Sequence, residues 1–259
     1  MSSPNPYAAP KAPVADATTA LPGNFVPSGR TVPPGRGWTW ITEGWDLFRR
    51  QPAIWIALVV VAMVIFIVLS FIPVLGSLAA IVLAPVFAAG LVIGARTQDQ
   101  GGELEIGHLF AGFRERFGTL VSVGLLYLAA MVVISLIVGA VTGAGMWSML
   151  GGRTDAASVG AAGLTIALAF LIMLALMIPV FMALWFAPPL VVFHEQGAGE
   201  AMRQSFFACL KNIVPFLLYG VILFVLAIVA SIPFGLGWLV LGPVMAASLY
   251  TAYRDIFFQ

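Results

Sequence analysis

A charge-free run of 43 residues, at positions 53–95, constrains the fold of this chain more than any other feature. As one straight helix it would measure about 65 Å, twice the roughly 30 Å of a bilayer's hydrocarbon core. The run must therefore turn, and Ile72-Pro73-Val74-Leu75-Gly76 supplies the proline and glycine that a turn needs. The sequence predicts two membrane helices joined by a short apolar turn.

The remainder of the chain has the same character. Hydrophobic residues make up 61% of the sequence and charged residues 9%, against about 25% charged residues in a soluble domain. We therefore predict an all-α membrane protein whose domain covers residues 36–259, with six transmembrane helices at about 53–75, 76–95, 119–145, 159–187, 213–232 and 235–253. The fourth uncharged stretch continues to residue 193 through Pro188 and Pro189, which predicts a kinked span ending in an interfacial or re-entrant piece.

Residues 1–35 differ from the rest in composition. They contain eight prolines and lack the apolar run of a signal peptide, so we predict a disordered cytoplasmic tail that stays attached. Such a tail is a candidate docking strip for another membrane protein or a cytoplasmic protein.

The orientation follows from the basic residues in the predicted loops. With six spans, one side holds eleven lysines and arginines and the other side holds only Arg153. Because positive loops stay inside, both termini are predicted to be cytoplasmic, in a multi-pass protein of the bacterial inner membrane. Residues 151–158 become the one appreciable external loop.

A short pattern recurs in the second, fourth and sixth predicted spans. Pro-Val-(Phe or Met)-x-Ala begins at Pro85, Pro179 and Pro243. Amphipathic stretches precede the other three spans, which suggests three tandem helical hairpins, each with a cytoplasmic surface helix. The apolar residues of these stretches are Trp38, Ile41, Trp45 and Phe48, then Ile106, Leu109, Phe110, Phe113 and Phe117, then Ala198, Ala201, Met202, Phe206 and Cys209.

The three prolines are the candidate site residues. A helix proline frees the carbonyl four residues earlier, so three such carbonyls at similar depth could form a ring that binds a cation or polar solute. The alternative is that the prolines only kink their helices, with neighbouring groups satisfying the carbonyls.

The sequence contains few residues that could take part in catalysis, proton transfer or metal binding. The predicted spans contain no Asp, Glu, Lys, Arg or His in their apolar cores, the basic residues do not gather on one face, and Cys209 is the single cysteine. These features argue against a proton relay, a nucleic-acid partner and a Cys-rich metal site. We predict no catalytic residue, no metal and no cofactor, with His108 and His194 as the pair that an enzymatic alternative would have to use.

Several motifs resemble those of an uncharacterised family of bacterial six-helix inner-membrane proteins. They are Asn5-Pro6-Tyr7-Ala8-Ala9-Pro10, Gly37-Trp38-x-Trp40-Ile41, Gly44-Trp45-x-Leu47-Phe48, Phe71-Ile72-Pro73-x-Leu75-Gly76 and Leu109-Phe110-x-Gly112-Phe113. The chain is more distantly similar to the membrane domain that accompanies some glycerophosphodiester phosphodiesterases. The resemblance implies the fold and no assigned biochemistry.

The function expected from these observations is a non-enzymatic structural, lipid-contacting or partner-binding role, with membrane lipids as the first partner. The alternative is a passive or exchange transporter of a small solute that uses the kinked second, fourth and sixth helices. A lipid-handling enzyme is the third reading.

Overall fold

The computed structural model describes residues 23–150 and 156–259, and in this part of the chain the backbone is almost entirely helical. Residues 151–155 of the predicted external loop and the first 22 residues of the tail lie outside the described residues, whereas residues 156–158 of that loop belong to the first helical turn of α6. The α-helices are α1 (Arg36–Arg50), α2 (Pro52–Ser70), α3 (Leu75–Asp99), α4 (Ala111–Arg114), α5 (Phe117–Leu150), α6 (Ala156–Trp185), α7 (Ala187–His194), α8 (Ala198–Lys211), α9 (Ile213–Ser231) and α10 (Trp238–Phe257).

Five segments of the described chain are long and apolar enough to cross a membrane: Pro52–Ser70, Leu75–Asp99, Phe117–Gly143, Gly160–His194 and Ile213–Ser231. They correspond to the first five predicted spans. The sixth predicted span lies in α10, whose C-terminal half carries Tyr250, Thr251, Tyr253, Arg254 and Asp255 and is less apolar. That half is largely enclosed by other parts of the protein, so its polar side chains face protein groups rather than lipid.

The described chain turns between the first and second predicted spans and again between the fifth and sixth. α2 ends at Ser70 and α3 begins at Leu75, while α9 ends at Ser231 and α10 begins at Trp238. Val74 and Phe234 adopt positive φ values of 61° and 53°, which lets each turn reverse within a few residues. Phe71, Val74 and Phe234 are strongly exposed, so uncharged apolar side chains cover both tips.

The helix pairs α2–α3, α5–α6 and α9–α10 differ in length. α2 and α9 have 19 residues each, or about 28 Å, which matches the hydrocarbon core. α5 packs on α3 so closely that a Cβ at Gly124 would overlap the Val82 carbonyl. Beyond this crossing α3 continues for about 10 Å to Leu75, whereas α5 continues for about 39 Å to Leu150. Helix α5 therefore extends well past the tip of α2–α3.

Two of the three predicted surface helices are present as helices, and the second is not. α1 and α8 form, although α1 buries Trp40, Ile41 and Phe48 and leaves Trp38 and Trp45 about half exposed. The second predicted helix is instead a 3-10 turn, Ile106–Phe110, followed by the single turn α4. Helix geometry breaks because Leu109 and Gly112 pack directly on the α3 backbone at Gly90 and Val86, and Arg116 adopts a φ of 53°.

The predicted tail needs a correction. Residues 23–35 are not disordered: Val26 and Arg30 donate backbone hydrogen bonds to the carbonyls of Phe257 and Ile256, both at 2.8 Å. Val32 donates to Asn212 Oδ1 at 2.9 Å. Prolines pre-extend this segment, and the free carbonyls at the end of α10 then give its amides partners. We call residues 23–35 the strap.

The fourth predicted stretch breaks at Phe186. α6 ends at Trp185, and α7 starts immediately with the two prolines, Pro188 and Pro189, in its first turn. The predicted kink is present, but α7 is not an exposed interfacial piece. Ala187, Pro188, Pro189, Leu190 and Val191 are buried, and α7 packs mainly on α3, α8 and α5. His194 at the end of α7 stacks on Phe25 of the strap.

Candidate functional site

A cluster of six charged residues joins α10 to the strap, α1 and α3, and we call it the α10 ion cluster. Its members are Arg30, Arg36, Glu43, Asp99, Arg254 and Asp255. Three are positive and three negative, so the cluster is neutral.

Asp255 is the most enclosed member, with a side chain only 5% exposed. Its carboxylate accepts hydrogen bonds from Arg30 Nη2 at 2.8 Å, Arg36 Nε at 2.6 Å and Trp40 Nε1 at 2.9 Å. A buried carboxylate needs such donors, because removal from water is otherwise costly. Asp255 therefore ties the strap and α1 to α10.

The other half of the cluster is centred on Arg254. Its guanidinium donates to Asp99 Oδ2 at 2.6 Å and Glu43 Oε2 at 2.8 Å, and Tyr250 donates to the same Asp99 oxygen at 2.9 Å. Every charge of the cluster has an opposite partner, which is the arrangement of a structural clamp rather than of a group held ready for substrate.

The three candidate prolines lie on helices with different main neighbours. Pro85 and Pro243 are buried in α3 and α10, which pack against each other. Pro179 is only partly buried, in a helix that packs mainly on α5 and α8. None of the three prolines lines any of the cavities described below.

The largest of these cavities is a crevice of about 580 Å³ where α9 and α10 splay apart beneath α1, which we call the α9–α10 crevice. Thr42 is its one residue with a hydroxyl, and that hydroxyl donates to the Thr39 carbonyl. The other lining residues are Trp38, Ile41, Trp45, Leu226, Val229, Ala230, Pro233, Gly237, Val240, Leu241 and Val244. The crevice therefore runs from the two half-exposed tryptophans of α1 to the apolar tip.

A second crevice, of about 420 Å³, lies on the other side of α9, against α6 and α8, and we call it the α6–α9 crevice. Phe181, Trp185, Phe216 and Leu223 are among its lining residues. Cys209 also lines it, and burial raises the pKa of this thiol to about 12, so it stays protonated at neutral pH. α9 is thus flanked by apolar openings on both sides.

A third cavity, of about 400 Å³, is polar and lies at the end of α3, where α7 and Glu115 face it. Arg96, Thr97, Gln100 and Glu115 contribute its polar side chains. We call it the Arg96 cleft.

The two histidines occupy separate settings. His108 Nδ1 accepts from the Glu105 amide at 3.0 Å in a capping arrangement, while His194 Nε2 lies 2.6 Å from the Tyr253 hydroxyl and its ring stacks on Phe25. Within the described residues, no three His, Cys, Asp or Glu side chains are grouped to hold a metal ion.

The sequence analysis did not predict the α10 ion cluster, the crevices or the Arg96 cleft. Arg30 and Asp255 are 225 positions apart, so no local spacing could pair them. The one available signal was the accumulation of polar residues in an otherwise apolar last helix.

Comparison with known proteins supports the membrane assignment. The chain is 29% identical over 221 residues to a probable inner membrane protein of Burkholderia thailandensis, covering 83% of this chain and 80% of the relative. No family model matches the sequence, and no solved structure matches it. With its apolar helices, this similarity confirms the prediction of a transmembrane protein of the inner membrane. The motif-based likeness to the phosphodiesterase membrane domain stays a prediction.

Proposed function

We propose that this protein is a non-enzymatic inner-membrane protein that holds phospholipid acyl chains in the crevices beside α9. The α9–α10 crevice carries the proposal, because it is a large opening between helices whose outer faces are apolar. In a bilayer the surrounding solvent is itself acyl chain, so chains rather than water fill such an opening and recover its van der Waals contacts.

The exposure of α9 supports the same role. Leu217, Val221, Phe224, Val225 and Ile228 are each more than half exposed, and none is charged. α9 leans mainly on α1 and touches its hairpin partner α10 only sparsely. A helix with openings on both sides can accept chains without disturbing a packed core.

The proposed topology has three hairpins entering from the cytoplasmic side, six membrane helices and both termini in the cytoplasm. The two described ends of the chain support a shared side, because Asn24 and Gln259 exchange backbone hydrogen bonds at 3.1 and 3.2 Å. The distribution of basic residues assigns that side to the cytoplasm.

Two observations favour holding lipid over the other readings. The ionisable groups that converge in the α10 ion cluster pair with one another, which supports a non-enzymatic role. Transport through a ring of kinked helices would need Pro85, Pro179 and Pro243 around a common path, and Pro179 belongs to a helix that packs elsewhere.

Filling the α9–α10 crevice tests the proposal. Val229 lines the crevice and is 54% exposed, so Val229→Trp adds volume there without displacing the core. Val225 is 53% exposed on the same helix and lines neither crevice, so Val225→Trp is the matched control.

Native mass spectrometry of the gently purified protein counts the lipids it retains. We expect Val229→Trp to retain at least one phospholipid fewer than the wild type, and Val225→Trp to retain the same number. Equal retention by all three proteins would show that the α9–α10 crevice does not bind a phospholipid.

A further inference from the structure

The Arg96 cleft differs from the crevices in its chemistry. Ile93, Val192 and Phe193 form its apolar wall, and Arg96, Thr97, Gln100 and Glu115 provide polar groups. Its volume of about 400 Å³ lies within the range of small-molecule sites, which starts at about 300 Å³. The cleft is large enough for a polar headgroup and has an apolar side where the headgroup would continue into chains.

Arg96 is held in place but has no anionic partner among the described residues. Its guanidinium carbon lies 4.4 Å from the centre of the Phe193 ring, a cation–π contact that fixes the group. Its Nε is buried without a hydrogen-bond acceptor. The arginines of the α10 ion cluster each have a carboxylate, so Arg96 stands apart from them.

A guanidinium in this state is suited to an anion. It presents five N–H donors in a planar fork, and phosphate oxygens match that geometry better than any neutral acceptor does. Leaving such donors without acceptors costs stability. A phosphate group in the cleft would provide acceptors for the donors that line it.

Glu115 adds a charge of the opposite sign to the same cleft. Its side chain is exposed and belongs to none of the ion pairs in the described chain. The neighbouring Arg116 pairs with Glu195, at 3.6 Å. A free phosphate would be drawn to Arg96 and repelled by Glu115. A phosphate ester that also carries an ammonium group satisfies both residues.

The cleft lies where such a ligand is found. α3 is apolar through Ile93 and becomes polar from Arg96 to Asp99, and the basic-residue count places this end at the cytoplasmic surface of the bilayer. Phe110, Phe113 and Phe117 are partly exposed on the neighbouring segment, as aromatic rings at a headgroup layer are.

We propose that the Arg96 cleft binds the headgroup of a zwitterionic phospholipid, with the phosphate on Arg96 and the ammonium group at Glu115. This site adds a headgroup preference to the proposed lipid-holding role and uses none of the residues that line the two crevices.

The test measures binding of short-chain phospholipids to the full-length protein in detergent, by thermal shift and by calorimetry. Dihexanoyl phosphatidylethanolamine is compared with dihexanoyl phosphatidylglycerol, which has the same chains and phosphate but no ammonium group. Phosphoethanolamine and inorganic phosphate, both without chains, are the remaining probes. We expect the wild type to bind phosphatidylethanolamine at least about tenfold more tightly than the other three.

Three variants assign the preference to residues. Arg96→Gln should weaken phosphatidylethanolamine binding at least about tenfold, and Glu115→Gln should remove the preference over phosphatidylglycerol. Arg114→Gln is the control, because Arg114 is exposed and lines an adjoining recess with His108 instead. Arg96→Lys keeps the charge, and it should retain part of the binding.

Each other outcome overturns the proposal. Equal affinity for the two lipids, or no binding of either, would show that the cleft does not recognise a zwitterionic headgroup. Equal binding of phosphoethanolamine or inorganic phosphate shows a soluble anion site instead. A loss of thermal stability in Arg96→Gln with unchanged lipid affinity shows that Arg96 only packs on Phe193. Since Val229→Trp lies outside the cleft, its lipid count reports on the crevice separately.

Discussion

At the scale of single residues, Asp255 has the greatest structural consequence. One carboxylate, almost wholly buried, receives donors from the strap and from two positions of α1. Its removal would leave Arg30 Nη2, Arg36 Nε and the Trp40 indole N–H without their acceptor, although Arg36 would keep Glu43 and Arg30 Nε would keep the backbone carbonyl of residue 255. The side chains of Arg30 and Arg36 are 40% and 32% exposed, so water can replace part of their lost hydrogen bonding.

Asp255→Asn should lower the free energy of unfolding by about 2–3 kcal/mol. The substitution removes the buried charge that the donors contact, while water can hydrate the two arginines in part. Reversible unfolding in mixed micelles measures this loss. Asp46→Asn is the matched control: Asp46 forms an exposed pair with Arg49, with side chains 52% and 65% exposed, and should change stability by less than about 1 kcal/mol. Similar losses for the two variants would mean that the α10 ion cluster is not a clamp.

At the scale of elements, the helix pairs α2–α3 and α9–α10 share two features. α2 and α9 are just long enough to cross the hydrocarbon, and their turns carry no charge and no long polar side chain. Side chains such as Phe234, which is fully exposed in the isolated protein, would be unfavourable in water. The tips are therefore expected to stop at the far edge of the hydrocarbon layer rather than to emerge from it.

Cysteine labelling measures the position of the tips. Val74→Cys and Phe234→Cys should react poorly with a membrane-impermeant maleimide in sealed spheroplasts and readily with a permeant one. The native Cys209 provides little background, because it is buried and its raised pKa of about 12 keeps it protonated. Rapid labelling of both tips by the impermeant reagent would show that they reach the periplasmic water.

At the scale of the whole molecule, the strap closes the fold. It connects the start of the domain to the end of α10, to Asn212 and to Lys211, which donates to the carbonyls of Ser28 and Gly29 at 3.0 and 3.3 Å. Phe25 stacks between His194 and Phe257, with its ring 3.5 Å from that of His194. Residues 23–35, which the sequence analysis assigned to the tail, therefore pack on the predicted membrane domain.

Two truncations separate docking from folding. Deletion of residues 1–22 breaks none of the described contacts and should leave the thermal midpoint nearly unchanged. Deletion of residues 1–35 removes Arg30 from Asp255 and removes the two hydrogen bonds that Asn212 makes with the strap, and it should lower the midpoint by several degrees. Equal midpoints would contradict a structural strap. The shorter truncation, which stays folded, is the one in which loss of a co-purifying protein would report a partner of the tail.

The sequence by itself determined the features that depend on local composition: an all-helical inner-membrane protein, the positions of the first five apolar segments and both apolar turns. Those follow from hydrophobic length and from the backbone limits of proline and glycine, which act over a few residues. Only the tertiary structure decided that residues 23–35 are ordered, that residues 106–117 do not form one helix, and that the helix of Pro179 packs mainly on α5 and α8 whereas those of Pro85 and Pro243 pack on each other. It also decided which charges pair in the α10 ion cluster and where the crevices open. Each of these depends on contacts between residues far apart in the chain, whose energies no local pattern records.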